Sequence, residues 1–413
     1  MRSNYKPLGK YIQPVVGRNS ELGDLPLMGL SITKQFIPSI ANTIGTDMST
    51  YRIIERNQFA YGPVTSRNGD KITIALFNDY EKALISQAYI PFEVKNTSEL
   101  DPEYLMMWFR RPEFDRYARF KSHGSAREIF DWAEMCNTLL PIPSIIKQRE
   151  IVKEYNTVVN RIKLNQLLIQ KLEETAQAIY KQWFVDFEFP DENGLPYKSN
   201  GGEMEDNKEL EIEIPKGWVI KKLADFCDIK GGKRLPKGQE LNNDKRGNPY
   251  IKVADMNNPK FITLNEQLQY VDEETQKSIS RYIVSKGDVI ISIVGTIGLV
   301  NVISETLDKA NLTENCVRLT NLKDINSDFI YHYLFSSVGQ RIIETKTVGG
   351  VQGKLPLYNI QSIPVICPNI ELLKTFEKIM KSVNASLENS TMQNDRLSFL
   401  KDLLLSKLAT IEN

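Results

Sequence analysis

The sequence predicts two tandem copies of a mixed α/β (α+β) domain joined by two long helices, which pair as an antiparallel coiled coil with pseudo-two-fold symmetry. Three observations predict it. The chain repeats itself at an offset of about 225 residues, each copy closes on a heptad seam, and the stretch before each seam reads as short strands punctuated by glycine. The resulting boundaries are a first domain over residues 1–145, a spacer helix over 146–186, a linker over 187–214, a second domain over 215–368 and a second spacer helix over 369–413. A chain of 413 residues has room for two or three domains, each large enough to bury its own core.

The strands come first in each copy. Lys286-Gly-Asp-Val-Ile-Ile-Ser-Ile-Val-Gly-Thr-Ile-Gly-Leu-Val-Asn-Val is β-branched and interrupted by glycine, as in a twisted sheet with bulges, and its counterpart begins at Asn57-Gln-Phe-Ala-Tyr-Gly-Pro-Val. A helix start follows: Asp101-Pro-Glu-Tyr-Leu-Met-Met-Trp-Phe corresponds to Asn326-Ser-Asp-Phe-Ile-Tyr-His-Tyr-Leu, each a polar cap before an aromatic and aliphatic run. His332, on that aromatic run, reads as a core histidine. Next stands a basic, glycine-containing loop, Lys121-Ser-His-Gly-Ser-Ala-Arg127 in the first copy and Lys346-Thr-Val-Gly-Gly-Val-Gln-Gly-Lys354 in the second. Short apolar strands ending in proline, Leu139–Pro143 and Ile363–Pro368, lead into the long helices.

In the first helix Ile151, Tyr155, Val158, Ile162, Asn165, Ile169, Leu172, Ala176 and Ile179 alternate steps of four and three. The same register in the second gives Phe376, Met380, Val383, Leu387, Ser390, Asn394, Leu397, Lys401 and Leu404. Both seams carry a polar residue at the centre, Asn165 and Ser390, where such a residue costs stability and can fix register. Pro190 to Pro215, rich in proline, glycine and acid, reads as an exposed linker.

Composition excludes more than it assigns. At 41% hydrophobic and 25% charged the chain is neither disordered nor fibrous, and it has no apolar run of the roughly 18 residues that cross a bilayer. No membrane role is expected. The opening residues lack the apolar stretch of a secretory signal, so the cytoplasm is the expected compartment. Cys136, Cys227, Cys316 and Cys367 stand far apart with only two histidines in the chain, which argues for buried apolar residues rather than a metal site. Lys+Arg and Asp+Glu both number 52, so any basic surface must be local.

Three stretches resemble the specificity subunit of type I restriction-modification systems: Ala178-Ile-Tyr-Lys-Gln-Trp-Phe-Val-Asp-Phe-Glu-Phe-Pro190, Ile214-Pro-Lys-Gly-Trp-Val-Ile-Lys-Lys-Leu223 and Asp402-Leu-Leu-Leu-Ser-Lys-Leu408. The resemblance spans the chain, although the first copy opens at Tyr5-Lys-Pro-Leu-Gly-Lys without the Pro-x-Gly-Trp of the second. It implies two target-recognition domains, each reading half of a bipartite sequence in double-stranded DNA and held apart by the paired helices. It also implies partners: two methyltransferase subunits that carry S-adenosylmethionine, and restriction subunits that use ATP and Mg. The chain itself is then non-catalytic and holds no cofactor.

The residues agree with that division of labour. An adenine methyltransferase needs an Asn/Asp-Pro-Pro-Tyr/Phe motif and a glycine-rich cofactor loop; Gly295-Thr-Ile-Gly298 fails the spacing, and Gly353-Lys354 is followed by Leu355, which excludes a P-loop. Asp79 with Glu93-Val-Lys95 matches a metal-dependent nuclease pattern, but Glu93 and Lys95 alternate with Phe92 and Val94 as on a half-buried strand. The candidate DNA contacts are Lys121, His123, Gly124, Ser125 and Arg127 in the first loop and Lys346, Thr347, Gly349, Gly350, Gln352 and Lys354 in the second, where glycine lets backbone approach phosphate or base edges. Gly231, Gly232, Lys233 and Arg234 form a further candidate, and Arg67 another. The competing readings are ordinary solvated turns for the loops and, for the whole chain, a coiled-coil protein-interaction adaptor.

Overall fold

The computed structural model describes residues 5–66, 68–124, 127–207, 212–256, 259–350 and 353–411. The chain forms two compact units, Met1–Arg161 with Ser398–Asn413 and Ile162–Leu397. In the first unit an antiparallel sheet runs in the order Ile12–Pro14, Ile90–Val94, Phe59–Tyr61, Ile74–Leu76. A second sheet runs Phe36–Pro38, Leu27–Leu30, Lys82–Ile85, Arg52–Glu55, and its central pair is parallel. Tyr5–Pro7 pairs with Leu139–Pro141, which brings the start of the domain beside the strand that leads into the long helix.

The second unit repeats this plan. Its larger sheet runs Asp228–Gly231, Cys316–Thr320, Val289–Ser292, Val300–Ile303, with Phe261–Ile262 added in parallel at the edge. Its smaller sheet, Gln269–Val271, Asn248–Ile251, Asn311–Leu312, keeps the parallel pair and lacks a fourth strand. Val219–Lys222 pairs with Pro364–Cys367 as Tyr5–Pro7 does with Leu139–Pro141. The interior strands Phe59–Tyr61, Val289–Ser292 and Val300–Ile303 are buried on every residue, within cores that contain several packed rings. Phe59 stacks on Phe92 at 4.9 Å in the first unit, and Phe184, Phe329 and Phe376 meet edge to face at 4.9–5.0 Å in the second. Each buried ring contributes about 1.5–3 kcal/mol relative to an exposed one.

Both helix starts are capped as their sequence asks. Asp101 accepts from Glu103 N at 2.9 Å and Tyr104 N at 3.2 Å ahead of Pro102–Phe109, and Asn326 accepts from Phe329 N at 2.8 Å ahead of Ser327–Phe335. The long helices are Ile145–Phe184, 40 residues, and Ile370–Lys407, 38 residues. At 1.5 Å per residue the first is about 60 Å long. Within the second unit Asn165 Nδ2 donates to Gln393 Oε1 at 2.7 Å, while Tyr180, Trp183 and Phe184 pack on Phe376, so the two helices run antiparallel. Asn165 therefore pairs with Gln393, not with Ser390. In the first unit Tyr155 of one helix shares a core with Leu405 and Leu408 of the other.

The described residues between Pro190 and Pro215 are mostly exposed, yet Met204–Asn207 pairs with Ile212–Pro215 and Tyr197 stacks on Phe189 at 4.5 Å. Trp218 packs on Phe184, Phe187 and Phe189, so the two most distinctive sequence stretches are one aromatic joint between the helix end and the second domain. Phe187 holds a positive φ of 60° there, a strain of about 1–2 kcal/mol that the surrounding rings offset.

Candidate nucleic-acid interface

The two basic loops fold into the same object. In the first unit His123 and Ile129 exchange backbone hydrogen bonds of 3.1 and 2.9 Å, and in the second Val348 and Lys354 exchange two of 2.8 Å. Each pair closes a short hairpin, and each hairpin is stitched to the segment leaving an interior strand, Phe59–Tyr61 or Val289–Ser292, through Val64–Ile129 and Val294–Lys354. The tight return requires glycine: Gly124 has φ +131° and a Cβ there would lie 2.2 Å from Arg127 O, while Gly349 has φ +105°. Gly350, beside it, is exposed with open space around it.

The hairpins divide the candidates into tethered and free. Lys121 caps the helix Pro112–Phe120 and reaches Glu134 at 3.6 Å; Lys346 ends the helix Ser337–Lys346 and donates to Ser362 Oγ at 2.9 Å. Thr347 turns its hydroxyl back to Ile343 O at 2.8 Å. His123, Arg127 and Lys354 are exposed, and no ion pair engages Arg127 or Lys354 among the described residues. Those two carry the charge that the hairpins can offer to a polyanion, Arg127 from within its loop and Lys354 from the closing pair. Arg67, Ser125 and Gln352 lie outside the described residues.

Gly231 to Arg234 sits at the end of the edge strand Asp228–Gly231. Gly232 is required by packing, since a Cβ would meet Thr313 O at 2.0 Å. Lys233 lies 5.5 Å from the Tyr282 ring and Arg234 donates to Glu314 at 2.6 Å, which presents a basic and aromatic surface. Tyr282 has no mark in the sequence, because it reaches Lys233 only through the fold.

The enzyme alternative has a structural explanation. Glu93 accepts from Gln13 at 2.8 Å and Gln58 at 3.0 Å, and Lys95 donates to Gly9 O at 3.0 Å, so the nuclease-like residues are strand-pairing side chains. Gly295 and Gly298 turn the chain between the antiparallel strands Val289–Ser292 and Val300–Ile303. Among the described residues no group of three or more His, Cys, Asp or Glu could hold a metal. No helix there is long and apolar enough to cross a membrane. Cys227, Cys316 and Cys367 are buried, Cys136 is partly so, and burial pushes the thiols of Cys227 and Cys316 up to about 12, which leaves them unreactive.

Comparison with known proteins agrees with this geometry. Residues 215–397 match the type I restriction modification DNA specificity domain. The type I restriction enzyme HindI specificity subunit of Haemophilus influenzae is 24% identical over 416 residues, covering 86% of each chain. The MjaIX specificity subunit of Methanocaldococcus jannaschii is 26% identical over 319 residues, covering 74% of this chain and 68% of its own. The crystal structure of the type I restriction-modification S subunit from M. genitalium shares the fold at 15% identity with a TM-score of 0.57, covering 99% of this chain and 96% of that one. Residues 215–397 thus carry a type I restriction modification DNA specificity domain, and the chain as a whole is similar to type I restriction enzyme specificity subunits.

Proposed function

We propose that the chain is the DNA-reading subunit of a type I restriction-modification complex, in which each domain reads one half of a bipartite target and the paired helices hold the halves at a set distance. One observation carries this reading: two domains of the same plan place a basic, glycine-turned hairpin at the same point, beside an interior strand and just before the spacer helix. A solvated turn needs no such repetition. The chain contributes recognition and no bond-making chemistry. Methyl transfer from S-adenosylmethionine falls to two methyltransferase subunits, and ATP- and Mg-dependent cleavage to restriction subunits, all in the cytoplasm. Exposed Leu164, Leu167 and Leu168 on the first long helix support its use as a docking surface for such partners.

The test is binding of the full chain to duplex DNA across a series of salt concentrations. Contacts to several phosphates make log K fall linearly with log salt, by about 0.9 per phosphate. A protein-interaction adaptor shows no such slope, and its absence would remove the DNA reading.

A further inference from the structure

We infer that Arg18 and Arg52 form a clamp for a backbone phosphate of duplex DNA, a contact of the first domain separate from its hairpin; the inference rests on the DNA-reading function proposed above. Arg18 and Arg52 face each other in an isolated antiparallel bridge. The bonds that make it, Asn19 N to Tyr51 O at 2.9 Å and Ile53 N to Gly17 O at 3.4 Å, lie one residue to either side. The pair itself is therefore the non-hydrogen-bonded kind, in which the two side chains stand closest and leave the same face. Two like charges placed directly opposite destabilise a sheet.

No ion pair among the described residues relieves that repulsion. Among the described residues neither guanidinium makes an ion pair or a side-chain hydrogen bond. Four acids of this part of the domain are engaged elsewhere: Glu55 with Lys82 at 2.8 Å, Glu81 with Arg56 at 2.9 Å, Asp115 with Lys34 at 2.7 Å, and Asp47 with the Ser49 amide and hydroxyl at 3.0 and 2.6 Å. The neighbouring cations Lys82, Arg56 and Lys34 are each neutralised by an ion pair, whereas Arg18 and Arg52 are held opposite each other without one among the described residues. Arg18 is exposed and Arg52 half-buried, so an anion has access from solvent.

An arrangement that is unfavourable alone becomes favourable around a group with two acceptor oxygens. A phosphodiester is such a group, and planar guanidinium forks match its geometry. At the edge where the first unit has the strand Arg52–Glu55, the smaller sheet of the second unit has only the isolated bridge Ile283–Asn311, which contains no arginine, so the clamp belongs to the first domain. A phosphate contact carries no base identity, so it acts on every DNA sequence alike.

The test compares the full chain with its Arg18→Gln/Arg52→Gln and Arg18→Lys/Arg52→Lys variants, measuring binding to two unrelated duplexes at several salt concentrations. The glutamine pair is expected to lower the salt slope by about one unit on both duplexes, the lysine pair to keep it, and the melting temperature of the DNA-free glutamine variant not to fall. An unchanged slope in the glutamine pair overturns the inference, as does a change confined to one duplex, which would mean base readout. If the glutamine pair does not fold, Arg52→Gln alone decides on the same two slopes. A wild-type chain with no salt-dependent binding removes the DNA reading and this inference with it; a wild-type slope that the variants share removes this inference alone.

Discussion

The two domains are built alike and anchored differently. On the first long helix, Gln148 is wholly buried and its amide is saturated: Oε1 accepts from Asp101 N at 2.9 Å, and Nε2 donates to Glu99 O at 2.8 Å and Pro143 O at 2.9 Å. A neutral group therefore fixes the first domain to its helix. The second domain uses a charge. Lys260, 1% exposed, pairs with Asp328 and donates to Asn384 Oδ1 at 2.8 Å on the second long helix, while its backbone N–H donates to Glu173 at 2.6 Å on the first. Thr263 adds a bond to Asp395 at 2.7 Å. The first domain also buries a lysine, Lys34 on Asp115, but spends it inside the domain, between a strand turn and a helix. Repetition has kept backbone positions and left the side-chain chemistry of the joints free to diverge.

That difference sets the largest expected effect. Removing one partner of a buried ion pair leaves the other uncompensated, so Lys260→Met should destabilise the second unit by about 3–5 kcal/mol. Gln148→Leu strands three neutral backbone groups and should cost the first unit about 1–3 kcal/mol. Hydrogen exchange read at Val289–Ser292 and at Phe59–Tyr61 follows each unit separately. Equal losses in the two would erase the contrast. Adding Asp328→Leu to Lys260→Met should recover much of the loss.

The second effect is one of pH. His332 is buried in the second unit with Nδ1 2.8 Å from Gln177, its ring stacked near Tyr180, and Nε2 without a partner. Burial, helped by the charge of Lys260, holds its pKa well below the ordinary 6.5. Below pH 6.5 the unfolded chain takes up a proton that the folded one refuses, so this stability is full above that value and is lost as pH falls, by up to about 1.4 kcal/mol per unit. The corresponding helix of the first unit has a methionine, Met107, where the second has histidine. Melting at pH 5 and pH 7 should show the second unit loosening preferentially, and His332→Met should abolish the difference.

Smaller effects separate the hairpin side chains. Arg127→Ala and Lys354→Ala should each lower the salt slope of DNA binding by about one unit. Lys121→Ala and Lys346→Ala, already tethered to Glu134 and Ser362, should lower it less. A shift in preferred bases in any of the four would assign that residue to base readout.

Much of this was legible because it is local. The capped helix starts at Asp101 and Asn326, the heptad seams and the glycine-turned loops each show within about ten residues, and the structure has all of them. Asn165 in the seam was visible as polar, but its partner Gln393 depends on the stagger of the helices. Lys260, Gln148 and the Arg18–Arg52 bridge left no signal. Their meaning comes from partners 30 to more than 100 residues away, and a buried lysine reads like any surface lysine until the fold closes over it. The Pro190–Pro215 segment reads as a linker because polar, glycine-rich composition does not reveal that Tyr197 will stack on Phe189.

The central claim is that the paired helices set the distance between two reading heads. Asn165 lies opposite Gln393, which places the junctions Arg161–Ile162 and Arg396–Leu397 at the same level of the coil. Seven residues inserted at both junctions preserve the heptad register and lengthen the spacer by about 10 Å, or about three base pairs. Once circular dichroism shows the variant folded, the sites methylated by the assembled complex should keep both half-site sequences and gain a few base pairs between them. A folded variant that still selects the original gap would contradict the account.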